Sequence, residues 1–258
     1  MKYRLFILLL LNQYLFGFST SLNTTDKLLE AKRLLKEASV SSDTSLIIKA
    51  KEILAKVYET DSLYQNLYFM AQSEYELARL AFAYKKYDAF EKHYNEAVKY
   101  IEKLISEKPN WSEPHTLLSL LYGYKIAKNS IYAVTLGPKA YLLIQRALEL
   151  DDKNPRAWFV MGIIKFHMPG FLGGGTEEAI SAFKKSIELF ESKKEEADPL
   201  TPDWGYIDAL LWLGWVYEKD KQPKEAYLVY RNALILHPQA KWIYSIFLEP
   251  LQKRYNIN

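Results

Sequence analysis

The side chains best able to do chemistry in this chain are few and scattered. His93, His115, His167 and His237 stand far apart, with no His-Glu-x-x-His or comparable spacing, so they form no metal-ligand set. Cysteine is absent, which removes thiolate nucleophiles, disulfides and a lipid-modified cysteine together. No Gly-x-Ser-x-Gly elbow occurs, and the pair Asp151-Asp152 falls where a helix should end and reads as a turn. These residues predict no catalytic group, no metal and no cofactor. The one glycine-rich stretch is Met168-Pro169-Gly170-Phe171-Leu172-Gly173-Gly174-Gly175-Thr176. It misses the phosphate-loop spacing by one residue and no lysine follows it, so nucleotide binding is not expected. Pro169 can stop one helix, the glycines can supply positive φ, and Thr176 can cap the next helix with Glu177 and Glu178 in its first turn. A tight turn needs fewer glycines than this. Pro169, Gly170, Phe171, Gly173, Gly174 and Gly175 are therefore candidates for a loop lying against a ligand or a neighbouring subunit.

Helices must position these residues. Strand-like alternation is nearly absent, while 49% hydrophobic and 25% charged residues suit one globular, all-helical domain. Near the C-terminal end, Leu210, Leu213, Gly214 and Tyr217 put large, large, small and large residues on one helical face. Ala226, Tyr230 and Ala233 follow on the next helix, and Pro238 ends it. Trp158, Met161 and Gly162 with Ala179, Phe183 and Ser186 repeat the arrangement across a longer turn. Leu118, Ser119 and Tyr122 with Ala140, Ile144 and Ala147 repeat it again. Ala97, Ile101 and Pro109 mark the second helix of a first unit, whose opening helix lies within 62–84. The small residues Ala97, Ala140, Ala179 and Ala226 are 43, 39 and 47 residues apart.

On these residues, 62–240 resembles the tetratricopeptide repeat family, whose unit is a helix–turn–helix of about 34 residues. The wider spacings mean that each unit carries an insertion. The resemblance implies a right-handed superhelix of antiparallel helix pairs, an α-solenoid, with a concave face suited to peptides or small ligands, and it implies no reaction. It also implies that residues one place after the packing positions of each first helix face the concave side. The second unit then contributes Thr116, Leu120 and Tyr124, and the third contributes Phe159, Ile163, Phe166 and His167. The fourth contributes Leu211, Trp215 and Glu218. Only Arg156 is of the type that grips charged peptide termini, so the groove reads as apolar and aromatic. Two outcomes stay open: it receives an apolar ligand or peptide, or the protein's own N-terminal helix pair or C-terminal helix fills it.

Around the glycine run, His-Met-Pro followed by Thr-Glu-Glu-Ala-Ile is similar to a turn in exported tetratricopeptide proteins, including the periplasmic T component associated with TRAP-type uptake systems. That second resemblance implies an all-helical protein, sometimes oligomeric, that handles a small or hydrophobic ligand for a binding-protein partner.

The N-terminus points to export. Met1-Lys2-Tyr3-Arg4 is a short cationic start, Leu5 to Phe18 is apolar apart from Asn12 and Gln13, and Ser19-Thr20-Ser21 offers small residues for cleavage. Residues 1–21 therefore read as a signal peptide cleaved after Ser19 or Ser21, the alternative being a membrane anchor, for which the apolar run is short and interrupted; 22–258 then reads as one helical-repeat domain in a periplasmic or secreted setting, with no stable membrane insertion after cleavage. Within it, 22–61 is a helix pair (25–39 and 44–59), 62–240 holds about four units, and 241–258 is a capping helix. The stretch 192–203 reads as a long inter-repeat loop. The formal charge of +3 is small, and lysines alternate with glutamates, as in Lys184, Lys185 and Glu188, so no nucleic-acid partner is expected. The function these residues point to is an exported scaffold that binds a protein, peptide or apolar ligand without catalysis. The alternative is an auxiliary ligand-handling component of a solute uptake system.

Overall fold

Asn154 shows how local chemistry starts these helices. Its side chain accepts hydrogen bonds from the backbone N–H groups of Arg156 and Ala157, and Pro155 fills the first helical position, where a missing N–H costs nothing. Asp43 likewise accepts from the backbone N–H of Ser45, and such bonds hold its carboxyl below the usual range. A computed structural model describes residues 24–60, 63–192 and 198–257. The signal-peptide reading of 1–21 and part of the 192–203 stretch thus lie outside the described residues.

The elements in chain order are α1 (24–41), α2 (Thr44–Thr60), α3 (Tyr64–Ala83), α4 (Tyr87–Glu107) and α5 (Ser112–Lys128). A 3₁₀ turn (Ser130–Tyr132) leads to α6 (Ala133–Leu150) and then α7 (Pro155–His167). A second 3₁₀ turn (Gly170–Leu172) precedes α8 (Thr176–Ser192), α9 (Tyr206–Lys219) and α10 (Pro223–Leu236). A π-helical turn (Tyr244–Leu248) runs into α11 (Glu249–Tyr255). No strand occurs among the described residues. Helices pair as α3/α4, α5/α6, α7/α8 and α9/α10, while α3, α5, α7 and α9 lie side by side as the inner row. This is the right-handed superhelix of helix pairs expected from the repeat pattern. The break between α1 and α2 is shorter than the gap between 25–39 and 44–59, because α1 continues through residue 41.

Close approach of paired helices explains the small residues. Ala97, Ala140, Ala179 and Ala226 are all buried at the pair contacts. A Cβ placed on Gly162 would lie 2.7 Å from the ring of Phe183, and one on Gly214 would overlap the ring of Tyr230. Ser119 holds the equivalent place in the second unit and uses its hydroxyl, donating to the Ala140 carbonyl at 2.8 Å. Tyr230 is fully buried and donates its phenol to Glu218 at 2.9 Å, so its ring cannot swing away freely. Gly214→Ala is accordingly expected to cost about 1–3 kcal/mol of stability, the usual penalty for overfilling a packed contact. Thermal or urea unfolding measures it, and an unchanged midpoint would show that the ring has room to spare.

Candidate ligand groove

The inner row of helices carries an unusual amount of buried charge. Arg156, on the first turn of α7, is 2% exposed, and its Nε donates to both carboxylate oxygens of Glu113 at 2.9 Å. Its Nη2 adds a third bond to Glu113 at 2.7 Å. Asn154 donates to the same carboxylate at 2.8 Å and to Ser112 Oγ at 2.9 Å, and Tyr68 donates from α3 at 3.2 Å. Burial, with the Glu113 charge beside it, holds the Tyr68 phenol well above its ordinary pKa. A second cluster lies further along α3, where Arg79 Nε donates to Glu76 at 2.8 Å. Burial pushes the carboxyls of Glu76 and Asp208 up, and desolvation pushes Tyr124 up to about 12.

The histidines are accounted for piecemeal, in keeping with their spacing. His93 shares the Glu74 carboxylate with Lys51, at 2.7 and 2.6 Å. The Nε2 of His115 meets the Pro109 carbonyl at 3.0 Å, and His237 follows the end of α10. Among the described residues no group of three or more His, Asp and Glu side chains could hold a metal ion.

The groove divides into two halves. Leu120, Phe159 and Leu211, placed on the concave side by their offset, are buried and are not exposed to an incoming ligand, and neither is Arg156. Over Arg156 and Phe159 in this half lies the segment 198–205. Trp204 reaches across the groove to donate its indole N–H to Tyr68 at 2.8 Å, and its ring lies 5.8 Å from that of Tyr75. Gly205 adopts a left-handed φ of +99° against Arg156, Phe190 and Phe159. Leu200 is buried beside it. From the other side α1 fastens the segment: Lys32 Nζ donates to the Pro199 carbonyl at 2.8 Å, and Lys36 pairs with Asp203 at 3.3 Å. The Trp242 indole then ties the C-terminal segment to α1 through the Val40 carbonyl at 2.7 Å. A pocket of about 190 Å³ stays open beside the covered half, lined by Tyr64, Gln65, Trp111, Ser112, Arg156 and Pro202 among others.

The other half, toward the C-terminal ends of the inner helices, is partly open to solvent. Ile163, Phe166 and Trp215 are half-buried, Tyr124 likewise, and His167 is exposed. Phe166 and Trp215 meet edge to face at 4.9 Å. Trp212, which the repeat offset does not select, joins them at 5.3 Å from Trp215 and 6.1 Å from His167. Although His167 reaches solvent, packing of its ring against these neighbours desolvates it and lowers its pKa. Lys219 Nζ sits 5.2 Å above the face of Trp215.

His167 leads into the glycine loop, which is held by backbone bonds. Lys165 Nζ donates to the Gly173 carbonyl at 2.6 Å, and the Gly175 N–H donates to the Lys165 carbonyl at 2.9 Å. Gly173 has a φ of +80°, and a Cβ on Gly174 would overlap the Met168 carbonyl. Gly173, Gly174 and Gly175 are needed by the turn itself, whereas a Cβ on Gly170 would meet open space. Pro169, Gly170 and Phe171 are exposed, with Phe171 and Leu172 pointing away from the core.

Helix pairs in a right-handed superhelix, with small residues at each pair contact, define a helical-repeat scaffold of the tetratricopeptide kind. The family model described as Tetratricopeptide repeat matches residues 208–240, the α9/α10 unit. Among solved structures, the HusA haemophore from Porphyromonas gingivalis superposes with a TM-score of 0.60 at 20% identity, over 73% of this chain and 92% of that one. A thermophilic TPR protein in Thermus thermophilus does so with a TM-score of 0.56 at 14% identity, over 86% and 98%. At such identities the likeness is one of fold. A comparison with curated proteins finds no match.

Proposed function

We propose that this protein is a non-catalytic binding scaffold whose open half-groove takes a flat, apolar ligand or the aromatic side chains of a peptide. One observation carries the reading: Phe166, His167, Trp212 and Trp215 form a contiguous ring cluster that is partly open to solvent, anchored where Trp212 stacks on buried Phe183. Aromatic rings left half-exposed together supply large contact area at little conformational cost. Lys219 at the margin adds a cation for an acidic group on the ligand. HusA, which shares the fold, is named a haemophore, so haem, flat, apolar and edged with carboxylates, is the first ligand to test. We further infer export from the cationic start and apolar run of residues 1–21, and a ligand-handling role beside an uptake system is one setting such a site would serve.

Titration with haem, followed by quenching of tryptophan fluorescence, is expected to saturate for the wild type. Phe166→Ala combined with Trp215→Ala should weaken binding by about tenfold, since two aromatic contacts at about 0.5–1.5 kcal/mol each add up to roughly the 1.4 kcal/mol of a tenfold change. Because both rings are only partly buried, helical content and melting temperature should change less than for truncation of two core aromatics. Binding by the double variant at wild-type strength would remove this cluster as the working surface.

A further inference from the structure

The turns within the helix pairs line one edge of the superhelix, and their lengths differ. Between α9 and α10 the turn is Asp220-Lys221-Gln222, short and polar, which shows what the repeat requires. The α5/α6 and α7/α8 connections each insert a 3₁₀ turn, and both insertions carry apolar side chains that stand in solvent. Phe171 is 88% exposed and Val134 83%, with Ile131 and Leu172 also standing out from the surface. In the first unit the same edge exposes Tyr84 and Tyr87.

Lysines stitch these turns into one strip. Lys128 Nζ lies 5.6 Å over the ring of Tyr87, and Lys125 Nζ lies 5.2 Å over that of Tyr132. Lys165 Nζ reaches the Tyr141 ring at 5.7 Å while holding the glycine loop by its Gly173 carbonyl. No acidic residue occurs from 114 to 148 or from 153 to 176; Glu177 and Glu178 open α8 beside the glycine loop and Asp88 follows Tyr87, so lysines outnumber carboxylates along the strip without being its only charges. Glu91 is held between Lys125 and Lys128, which leaves that trio with an excess positive charge, and Lys85, Lys86 and Lys139 are exposed along the same edge.

We propose that this edge is a docking surface for an anionic lipid bilayer, with Phe171, Leu172, Ile131 and Val134 entering the headgroup–acyl boundary and the lysines meeting lipid phosphates. Apolar tips, tyrosines and lysines on one face are the composition that settles at a membrane interface, where rings sit at headgroup depth and basic side chains gain from the negative surface. The tips project from loops and enclose no cleft, a shape suited to insertion between lipids more than to gripping a protein. The glycine loop suits this role, since its backbone bonds keep Phe171 outward at no cost to the core. No described helix is long and apolar enough to cross a membrane, so the association is peripheral. The edge adjoins the aromatic cluster through His167, but its lipid contact does not depend on what that cluster binds.

Co-sedimentation of residues 22–258, which carry every described helix, with vesicles tests the proposal. Vesicles of anionic phosphatidylglycerol mixed into phosphatidylcholine at about 3:7 should bind the protein about tenfold better than pure phosphatidylcholine, with binding weakened at about 0.5 M salt. Phe171→Ser combined with Val134→Ser should lower binding about tenfold at an unchanged melting temperature. Leu228→Ser, an exposed apolar residue on α10 away from this edge, should leave it unchanged. Failure of the wild type to sediment with either vesicle, or wild-type binding by the double variant, overturns the proposal. So does concentration-dependent self-association that the double variant abolishes, which would assign the edge to a second copy of the chain.

Discussion

Arg156→Ala is expected to cost about 3–5 kcal/mol of folding stability, more than any surface change in this protein. The substitution removes three charge-assisted bonds to Glu113 and leaves that carboxylate buried with only Asn154 and Tyr68 as donors. The cost comes less from the lost attraction than from a charge that water can no longer reach. A double variant, Arg156→Met with Glu113→Leu, removes both charges and should lie well above the single variant in stability, because no ion is then stranded. Urea unfolding of wild type, single and double variants reads the comparison directly. If the single variant unfolds at the wild-type midpoint, or if the double is the worst of the three, the pair does not work in this way. The location gives the test wider meaning, since Glu113 and Arg156 join the α5 and α7 units across the concave face, and Tyr68 extends the link to α3.

The reach of sequence reasoning here follows the range of each interaction. Gly214 with Tyr230 and Gly162 with Phe183 are neighbours across one turn, so their shape match is written within a short stretch of chain. The last two units are legible for that reason. In α3 the same logic places no register, because Asn66, Gln72, Ser73, Glu74 and Glu76 are polar and nonetheless buried. Their burial depends on partners from other elements, such as Lys51 and His93 around Glu74. The offset rule names Phe166, His167 and Trp215, which do come together, but does not tell them from Phe159 and Leu211, which are covered. Trp204 covers its half of the groove by bonding to a residue 136 positions earlier, and no local pattern signals such a contact. Asp198-Pro199 and Thr201-Pro202 make the segment look like a plain linker. The tryptophans at 204, 212 and 215, crowded into one short stretch, are the available hint that this region has more to pack than a repeat needs.

Trp204→Ala should therefore behave unlike truncation of any half-exposed ring. The indole is buried, its N–H is bonded to Tyr68, and its removal leaves a void against Tyr75 above the Glu113 and Arg156 pair. A loss of about 3–5 kcal/mol is expected, as for other large buried aromatics, and the emptied half of the groove should take up an apolar dye beyond the amount that the wild type binds. Trp204→Phe separates the two contributions: it keeps most of the contact and loses the hydrogen bond, so it should cost about 1 kcal/mol plus a small packing term. Trp215→Ala, whose ring already meets solvent, should fall well below Trp204→Ala in the same assay. Equal losses for the two alanine variants, or no added dye uptake by Trp204→Ala, would mean that the segment 198–205 does not seal the groove. In that case the covered and open halves would both be free to take a ligand, and the binding footprint would extend from Trp215 back to Tyr68.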